Sequence, residues 1–190
     1  TNKIVEERTR LSAKLNFIND LYEVNFHALG TNCTVKFKSS SSKESEHFFN
    51  KILAWIIDYE SRYSRYLSDS LIGLINSNAG TSPIEINDED ENLFNVCDEM
   101  HFFTKGVFDP TALPLINLWN WKSKNPIIPD KCSIDSAKKR VNWRKVERRP
   151  GSFFLSEKGM EIDLGGIGKE YAVDQLVQMA VTQHGIKDLM

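Results

Sequence analysis

The stretch EIDLGGIGKEYAVD, residues 161–174, predicts a strand that ends in a glycine-rich turn and is followed by a helix. It places an acid, Asp163, before the glycine-rich run 165–168, and a base, Lys169, after it. A glycine turn between a strand and a helix often holds phosphate, because free N–H groups meet the positive end of the helix dipole there. The stretch therefore predicts either a phosphate site or a glycine turn that merely brings the strand close to the helix.

Two standard phosphate loops do not fit this stretch. A Walker-type loop reads GxxxxGK followed by Ser or Thr, whose hydroxyl binds Mg²⁺. Here Lys169 is followed by Glu170, and Asp163 stands where the first glycine is required. A dinucleotide fingerprint, GxGxxG, requires a third glycine where this chain has Tyr171. The stretch alone thus leaves the ligand open.

Composition and charge narrow the class of protein. The chain has 190 residues, of which 41% are hydrophobic and 26% are charged, so one globular domain over 1–190 is the expectation. Its net charge of −2 argues against a general nucleic-acid binder, which requires a basic face. The three cysteines have no CxxC spacing and suggest neither a zinc site nor a redox pair. We expect no nucleic-acid partner.

Hydrophobic periodicity and turn residues predict a mixed α+β fold rather than a doubly wound sheet. In the first half we expect a helix over 3–21, a strand region over 24–37 bent at Gly30, a helix around 49–59, and a short strand over 84–86. Asn87 or Asp88 is expected to cap a further helix, whose buried stripe is Leu93, Cys97, Met100 and Phe103 and which ends at Gly106.

In the second half, the prolines of 107–130 exclude a continuous helix or central strand, and this long loop is expected to be functional. Ser133 is expected to cap a short helix. The strands 152–156 and 160–164 are expected to pair as a hairpin, and the last helix is expected to run from Gly166 to His184 with Gly185 as its cap.

Five blocks, in this order, resemble one family. They are LGT (29–31), YLSDSLIGLIN (66–76), FDPTALPLINLW (108–119), WRKV (143–146) and IDLGGIGKEYAVD (162–174). Together they resemble the ApbE-type flavin transferases, or FAD:protein FMN transferases; the third and fifth blocks are long and specific. The resemblance implies a partial ApbE-like flavin transferase fold.

The resemblance also implies an activity. Such enzymes bind FAD, cleave its pyrophosphate, and attach FMN through a phosphoester to a Thr or Ser hydroxyl of a target protein, with Mg²⁺ required. Two alternatives stay open from the sequence: an FAD hydrolase that gives FMN and AMP, and a non-catalytic flavin-binding module.

Carried over by motif position, the resemblance implies roles for individual residues. Asp163 and Lys169 are the implied catalytic residues, and the Gly166 carbonyl is the implied metal ligand. The implied contacts with FAD are Leu29, Tyr66, Val107, Phe108, Asp109, Asp163 and Lys169. Tyr66 is expected to stack on a ring of FAD, since an aromatic face suits that contact.

The family context implies a partner and a compartment. The partner is a flavin-accepting protein of a respiratory or redox complex, and the compartment is the bacterial cell envelope on the periplasmic side of the inner membrane, with possible membrane anchoring outside this chain. The chain departs from the family at Leu29, at Glu170 and at 112–113. The family also continues beyond the position of Met190, with a late Asp and Thr as metal ligands. We therefore expect 1–190 to be truncated at its C-terminal end.

Overall fold

The computed structural model describes residues 2–119, 124–125, 127–184 and 186. In chain order its helices and strands are α1 (Lys3–Ser12), β1 (Lys14–Ile18), β2 (Leu21–Ala28), β3 (Thr31–Phe37), α2 (Ser42–Tyr63), α3 (Leu71–Ser77), β4 (Ile84–Glu85), α4 (Asp88–Phe103), α5 (Leu113–Ile116), α6 (Lys131–Lys138), β5 (Val146–Arg149), β6 (Ser152–Leu155) and α7 (Gly168–His184). Single 3₁₀ turns cover Pro110–Ala112 and Trp143–Lys145. Helices and antiparallel strands in this order confirm the predicted α+β class.

The chain divides into two compact units. The first unit comprises 1–64 and 168–190, and the second comprises 65–167. The expectation of one domain over 1–190 stays a prediction. None of the helices in the part of the chain that the structure describes is long and apolar enough to cross a membrane.

The first unit is built on an antiparallel sheet with the order β1-β2-β3. Alternate residues of β2, namely Val24, Phe26 and Ala28, are buried, as expected for a sheet with one covered face. Phe37 of β3 meets Phe48 of α2 edge to face, with ring centroids 4.9 Å apart. Helix α2 thus covers the sheet through aromatic packing that adds to simple burial.

The turn between β2 and β3 consists of Leu29 and Gly30. Their φ angles are 52° and 72°, both in the left-handed region. Two-residue hairpin loops of this kind match the twist of the flanking strands. The predicted bend at Gly30 is therefore confirmed as a tight turn, and Leu29 adopts a φ that is uncommon for a residue other than glycine.

The predicted helix over 3–21 is wrong beyond Ser12. After α1 the chain forms β1, which pairs with β2 so that Leu15 lies opposite Val24. The loop residues Asn19 and Asp20 have φ angles of 51° and 63°. Asn and Asp tolerate this conformation better than most residues, so a hairpin turn overrides the helical spacing of the apolar residues.

The beginning of α7 is fixed by an aromatic residue of α2. The Tyr59 hydroxyl donates a hydrogen bond of 2.9 Å to the Gly168 carbonyl. The Tyr59 ring also stacks on Tyr171, with centroids 6.1 Å apart. Helix α7 starts at Gly168 rather than at the predicted Gly166. Gly185, the predicted cap, lies outside the described residues.

The second unit is built on a small antiparallel sheet with the order β4-β6-β5. Helix α4 begins with the predicted cap, because Asn87 and Asp90 exchange side chain-to-backbone hydrogen bonds in a capping box. Leu93 and Cys97 are buried as predicted, but the predicted burial of Met100 and Phe103 is wrong, since both are exposed. The buried residues of α4 end at Cys97, and the last turn of the helix, which carries Met100 and Phe103, is exposed to solvent.

Two local predictions for the second unit are corrected. Asp130, and not Ser133, caps α6: the Ser133 N–H donates 2.9 Å to the Asp130 carboxylate. The segment 160–164 is not a strand, because β6 already has β4 on one edge and β5 on the other. Its backbone is held instead by a side chain, since Asn76 accepts 2.7 Å from the Ile162 N–H and donates 3.0 Å to its carbonyl.

Candidate functional site

The predicted site residues fall in both units, and each group is described within its own unit. Tyr66, Val107, Phe108, Asp109, Asp163 and Gly166 lie in the second unit, whereas Leu29 and Lys169 lie in the first. The boundary between the units passes through the glycine-rich motif itself, after Ile167.

Asp163 is held by hydrogen bonds at both its backbone and its side chain. Its N–H donates 2.9 Å to the Pro110 carbonyl, which joins the glycine-rich motif to the FDPT block. Its Oδ1 accepts 3.0 Å from the Gly165 N–H, so the carboxylate folds back over the loop that follows it. The side chain keeps 19% of its surface exposed. A carboxylate oxygen has further lone pairs, so Asp163 remains able to accept from a ligand hydroxyl.

The two glycines after Leu164 lie close to other side chains, so a larger residue at either position would require its neighbour to shift. A Cβ on Gly165 would lie 3.2 Å from Oδ2 of Asp163. A Cβ on Gly166 would lie 3.2 Å from Cε2 of the Phe108 ring. The structure therefore brings the Phe108 ring to Gly166 and the Asp163 carboxylate to Gly165, although Phe108 and Asp163 are 55 positions apart in the sequence. The glycines do more than shorten a turn, because they leave room for an acid on one side and an aromatic ring on the other.

Asp109 is satisfied mainly by the protein. Its Oδ1 accepts 2.8 Å from the Thr111 N–H and 2.5 Å from the Thr111 hydroxyl. Its Oδ2 accepts 3.1 Å from the N–H of the buried Trp143. This carboxylate fixes the path of the FDPT turn and ties it to the WRKV block. Its predicted contact with FAD stays a prediction.

Val107 and Phe108 precede that acid in the same turn. Val107 is 90% exposed. The Phe108 carbonyl lies 2.9 Å from Nδ1 of His101, and the Phe108 N–H donates 3.0 Å to the Thr104 hydroxyl. His101 and Thr104, at the end of α4, thus hold the backbone of Phe108, while the Val107 side chain projects into solvent.

Tyr66 is exposed, as a residue that stacks on a ligand ring must be, with 68% of its surface open to solvent. The guanidinium of Arg65 lies 4.6 Å from the centroid of the Tyr66 ring, and Nη2 donates 3.0 Å to the Tyr66 hydroxyl. Nε of the same guanidinium is 3.4 Å from Oδ2 of Asp163. Sequence reasoning missed Arg65; its only signal was a basic residue directly before the YLSDS block.

In the first unit, the turn that carries Leu29 is held by a buried acid. The Leu29 N–H donates 2.8 Å to Oε2 of Glu60, and Nη2 of Arg8 donates 2.5 Å to the same oxygen. Charge-assisted bonds of this kind are stronger than bonds between neutral groups. Sequence reasoning also missed Glu60 and Arg8, because α1 and α2 approach the turn only in the folded unit.

Lys169 is exposed in the first turn of α7, and so is Glu170. Burial raises the pKa of the Cys33 thiol, while the positive charge of Lys169 acts in the opposite direction. Cys33 is the second residue after the LGT turn in the sequence.

Metal ligands are sparse in the part of the chain that the structure describes. Within it, no group of three or more His, Cys, Asp or Glu side chains lies together in a way that could hold a metal ion. Mg²⁺ takes about six oxygen ligands and is usually bound by one or two carboxylates together with waters and substrate phosphates. A site of that kind does not require three such side chains, so the role of the Gly166 carbonyl as a metal ligand stays a prediction.

Comparison with known proteins places these motifs in a family. The sequence profile of the ApbE family matches residues 29–190, which is most of the chain. The chain belongs to the ApbE family. This ApbE-family chain is 30% identical over 156 residues to the FAD:protein FMN transferase of Chlamydia pneumoniae, covering 81% of this chain and 48% of the relative. It is 27% identical over 169 residues to the protein of the same name from Treponema pallidum, covering 83% and 46%.

The fold agrees with that assignment. The ApbE-family chain superimposes on the flavin transferase ApbE from Vibrio cholerae with a TM-score of 0.81 at 18% identity, over 94% of this chain and 56% of that one. At this identity the match shows the fold, and it confirms the expected ApbE-like architecture. The chain spans about half the length of the curated relatives it matches.

Proposed function

We propose that this ApbE-family chain is part of an FAD:protein FMN transferase and carries the residues that hold FAD. The proposal is supported by relatives that bear that name and by the family match over 29–190. The chain spans about half the length of those relatives, so the activity is proposed for the natural full-length protein.

The observation that carries the proposal is the convergence of separate motif blocks in the second unit. Phe108 packs against Gly166, Pro110 accepts the N–H of Asp163, and Arg65 lies between Tyr66 and Asp163. Ligand sites are typically lined by apolar and aromatic side chains, with a few polar groups that fix the orientation of the ligand. These blocks supply aromatic rings in Tyr66 and Phe108 and a carboxylate in Asp163.

In the proposed reaction, the hydroxyl oxygen of a Thr or Ser on the acceptor attacks the phosphorus on the FMN side of the FAD pyrophosphate. The new P–O bond gives FMN joined to the acceptor as a phosphoester, the pyrophosphate P–O bond breaks, and AMP leaves. The hydroxyl proton passes to Asp163 as general base. Displacement at phosphorus depends mainly on positioning and on neutralising charge, so the proposed part of Lys169 is to stabilise negative charge on the phosphates.

The remaining roles are proposed on motif position. Tyr66 stacks on a ring of FAD, Leu29 touches the flavin or its linker, and Val107, Phe108 and Asp109 line the nucleotide site. Mg²⁺, when bound, neutralises pyrophosphate charge; the Gly166 carbonyl would contribute one ligand. The proposed acceptor is a protein of a respiratory or redox complex. The proposed compartment is the periplasmic side of the bacterial inner membrane. Cell fractionation followed by immunoblotting for the natural protein tests that compartment.

The decisive experiment incubates the natural full-length protein with FAD, Mg²⁺ and a candidate acceptor, and follows flavin fluorescence on the denatured acceptor and its mass. Covalent FMN on the acceptor together with released AMP supports the transferase. Replacing Mg²⁺ by EDTA should abolish labelling, and an unchanged rate would refute the metal requirement.

The same experiment separates the two alternatives. Free FMN and AMP without a labelled acceptor would identify a hydrolase, in which water replaces the acceptor hydroxyl. Bound but uncleaved FAD with every acceptor would identify a flavin-binding module.

A further inference from the structure

The carboxylate on which the proposed chemistry depends has a cation beside it. Nε of Arg65 and Oδ2 of Asp163 are 3.4 Å apart, and the two side chains are only 17% and 19% exposed. Dissolved salt weakens the attraction between two partly buried charges less than it weakens the attraction between two exposed charges. Arg65 therefore acts on the orientation of Asp163 more strongly than an exposed arginine would.

The guanidinium of Arg65 is itself held from other directions. Nη2 donates to the Tyr66 hydroxyl at 3.0 Å, and Nη1 donates to Oδ1 of Asn117 at 3.4 Å. The Cζ atom of Arg65 lies over the Tyr66 ring, 4.6 Å from the ring centroid. The N–H groups of a guanidinium point in fixed directions within one plane, so contacts at the two Nη atoms set the direction of Nε.

Asn117 extends this network to the chain just before Asp163. Its Nδ2 donates 3.0 Å to Oε2 of Glu161, two residues before that acid. The contacts of Arg65 thus connect the YLSDS block, the FDPTALPLINLW block and the glycine-rich motif. Arg65 is the member of the network that contacts a residue from each of the three blocks.

We propose that Arg65 is a positioning residue that holds the Asp163 carboxylate in the orientation required for FMN transfer. The inference rests on the proposed function. Oδ1 of Asp163 accepts from the Gly165 N–H and Oδ2 is paired with Arg65, so a contact at each oxygen restricts rotation of the carboxylate. Small losses of orientation at a reacting group lower rates strongly.

The test uses the natural full-length protein with the variants Arg65→Met, Arg65→Lys, Asp163→Asn and the double variant Arg65→Met/Asp163→Asn. Arg149→Met, which removes an exposed arginine of β5 in the same unit, is the matched control. Rates of FMN transfer are measured in single-turnover and steady-state assays, together with the Kd for FAD and the melting temperature.

We expect Arg65→Met to lower kcat about tenfold or more while KM for FAD changes less than about threefold, the pattern of an interaction used in the transition state. Arg65→Lys should recover little of the loss, because an ammonium cannot reproduce the planar contacts of a guanidinium. In the Asp163→Asn background, adding Arg65→Met should cost less than about twofold, since residues that act through one another are not additive. Arg149→Met should match wild type.

The opposite outcomes are distinct. A kcat for Arg65→Met close to wild type, beside an impaired Asp163→Asn, overturns the inference and leaves the proposed function standing. Full activity of Asp163→Asn overturns the proposed role of Asp163 and the inference with it. A raised KM and Kd with unchanged kcat would place Arg65 on the substrate and overturn positioning. If Arg65→Met lowered kcat by the same factor in the wild type and in the Asp163→Asn background, Arg65 would not act through Asp163, and the inference would be overturned. If Arg65→Met does not fold, Arg65→Lys carries the comparison.

Discussion

The side chain of Asn76 exchanges two hydrogen bonds with the backbone of Ile162, 86 residues further along the chain. The side-chain amide of Asn76 thereby supplies the two backbone hydrogen bonds of Ile162 that a neighbouring strand would otherwise supply. The segment carries Asp163, so an asparagine on α3 sets the backbone from which the proposed general base projects.

Replacing Asn76 by alanine should destabilise the protein. The variant leaves the N–H and the carbonyl of the buried Ile162 without these partners, and an unsatisfied buried polar group costs about 1–3 kcal/mol. Urea denaturation of the wild type and the variant measures the free energy of unfolding. The control is Asn50→Ala on the exposed face of α2, expected to stay within about 0.5 kcal/mol. Equal stability of the two variants would contradict this role for Asn76.

Replacing Glu60 by alanine should loosen the Leu29 turn. The variant removes the acceptor of the Leu29 N–H and leaves Arg8 without its carboxylate, and we expect a loss of about 1–3 kcal/mol. Glu60→Gln keeps an acceptor for the N–H and should lose less. Thermal unfolding and FAD titration measure both effects, with the exposed Glu46→Ala as control. An unchanged FAD affinity in Glu60→Ala would count against a contact between the Leu29 turn and the flavin.

Replacing Asp109 by asparagine separates a structural role from ligand contact. The asparagine oxygen can still accept from Thr111, but its NH₂ group would face the Trp143 N–H, so two donors meet. We expect a loss of about 1–3 kcal/mol in the free energy of unfolding, against a negligible change for the exposed Asp135→Asn. A variant of full stability with weakened FAD binding would show instead that Asp109 acts mainly on the ligand.

Cys97 gives a prediction about pH. Burial raises the pKa of its thiol from 9.0 to about 12. Its contribution to stability is therefore complete below about pH 9 and decreases as the pH rises from there toward 12, because only the unfolded thiol ionises in that range. Denaturation at several alkaline pH values should show this decrease in the wild type, and Cys97→Ala should lack that part of it.

Thiol alkylation provides an independent check on the same residue. In the native protein the exposed Cys132 should react with iodoacetamide far faster than Cys97, which should react only after unfolding. Mass spectrometry of peptides identifies the modified residue. Rapid native modification of Cys97 would contradict its burial.

Local sequence signals predicted several elements correctly. Asn87 caps α4, the β2–β3 region bends at Gly30, and Leu93 and Cys97 are buried, because each depends on residues within a few positions. Where local signals competed, the prediction was wrong. The apolar spacing over 3–21 fits a helix, but the turn at 19–20 allows β1 to pair with β2.

The sequence by itself determined the mixed α+β class and the ApbE family, because motif blocks and hydrophobic periodicity are properties of short segments. Only the tertiary structure decided which residues hold those blocks in place. Arg65 reaches Asp163, Glu60 holds Leu29, and Asn76 replaces a strand beside Ile162. Such contacts join segments far apart in the chain, and their geometry depends on packing that periodicity and propensity do not contain. In the glycine-rich motif, Gly165 leaves room for the Asp163 carboxylate and Gly166 for the Phe108 ring, and only the tertiary structure shows these two contacts.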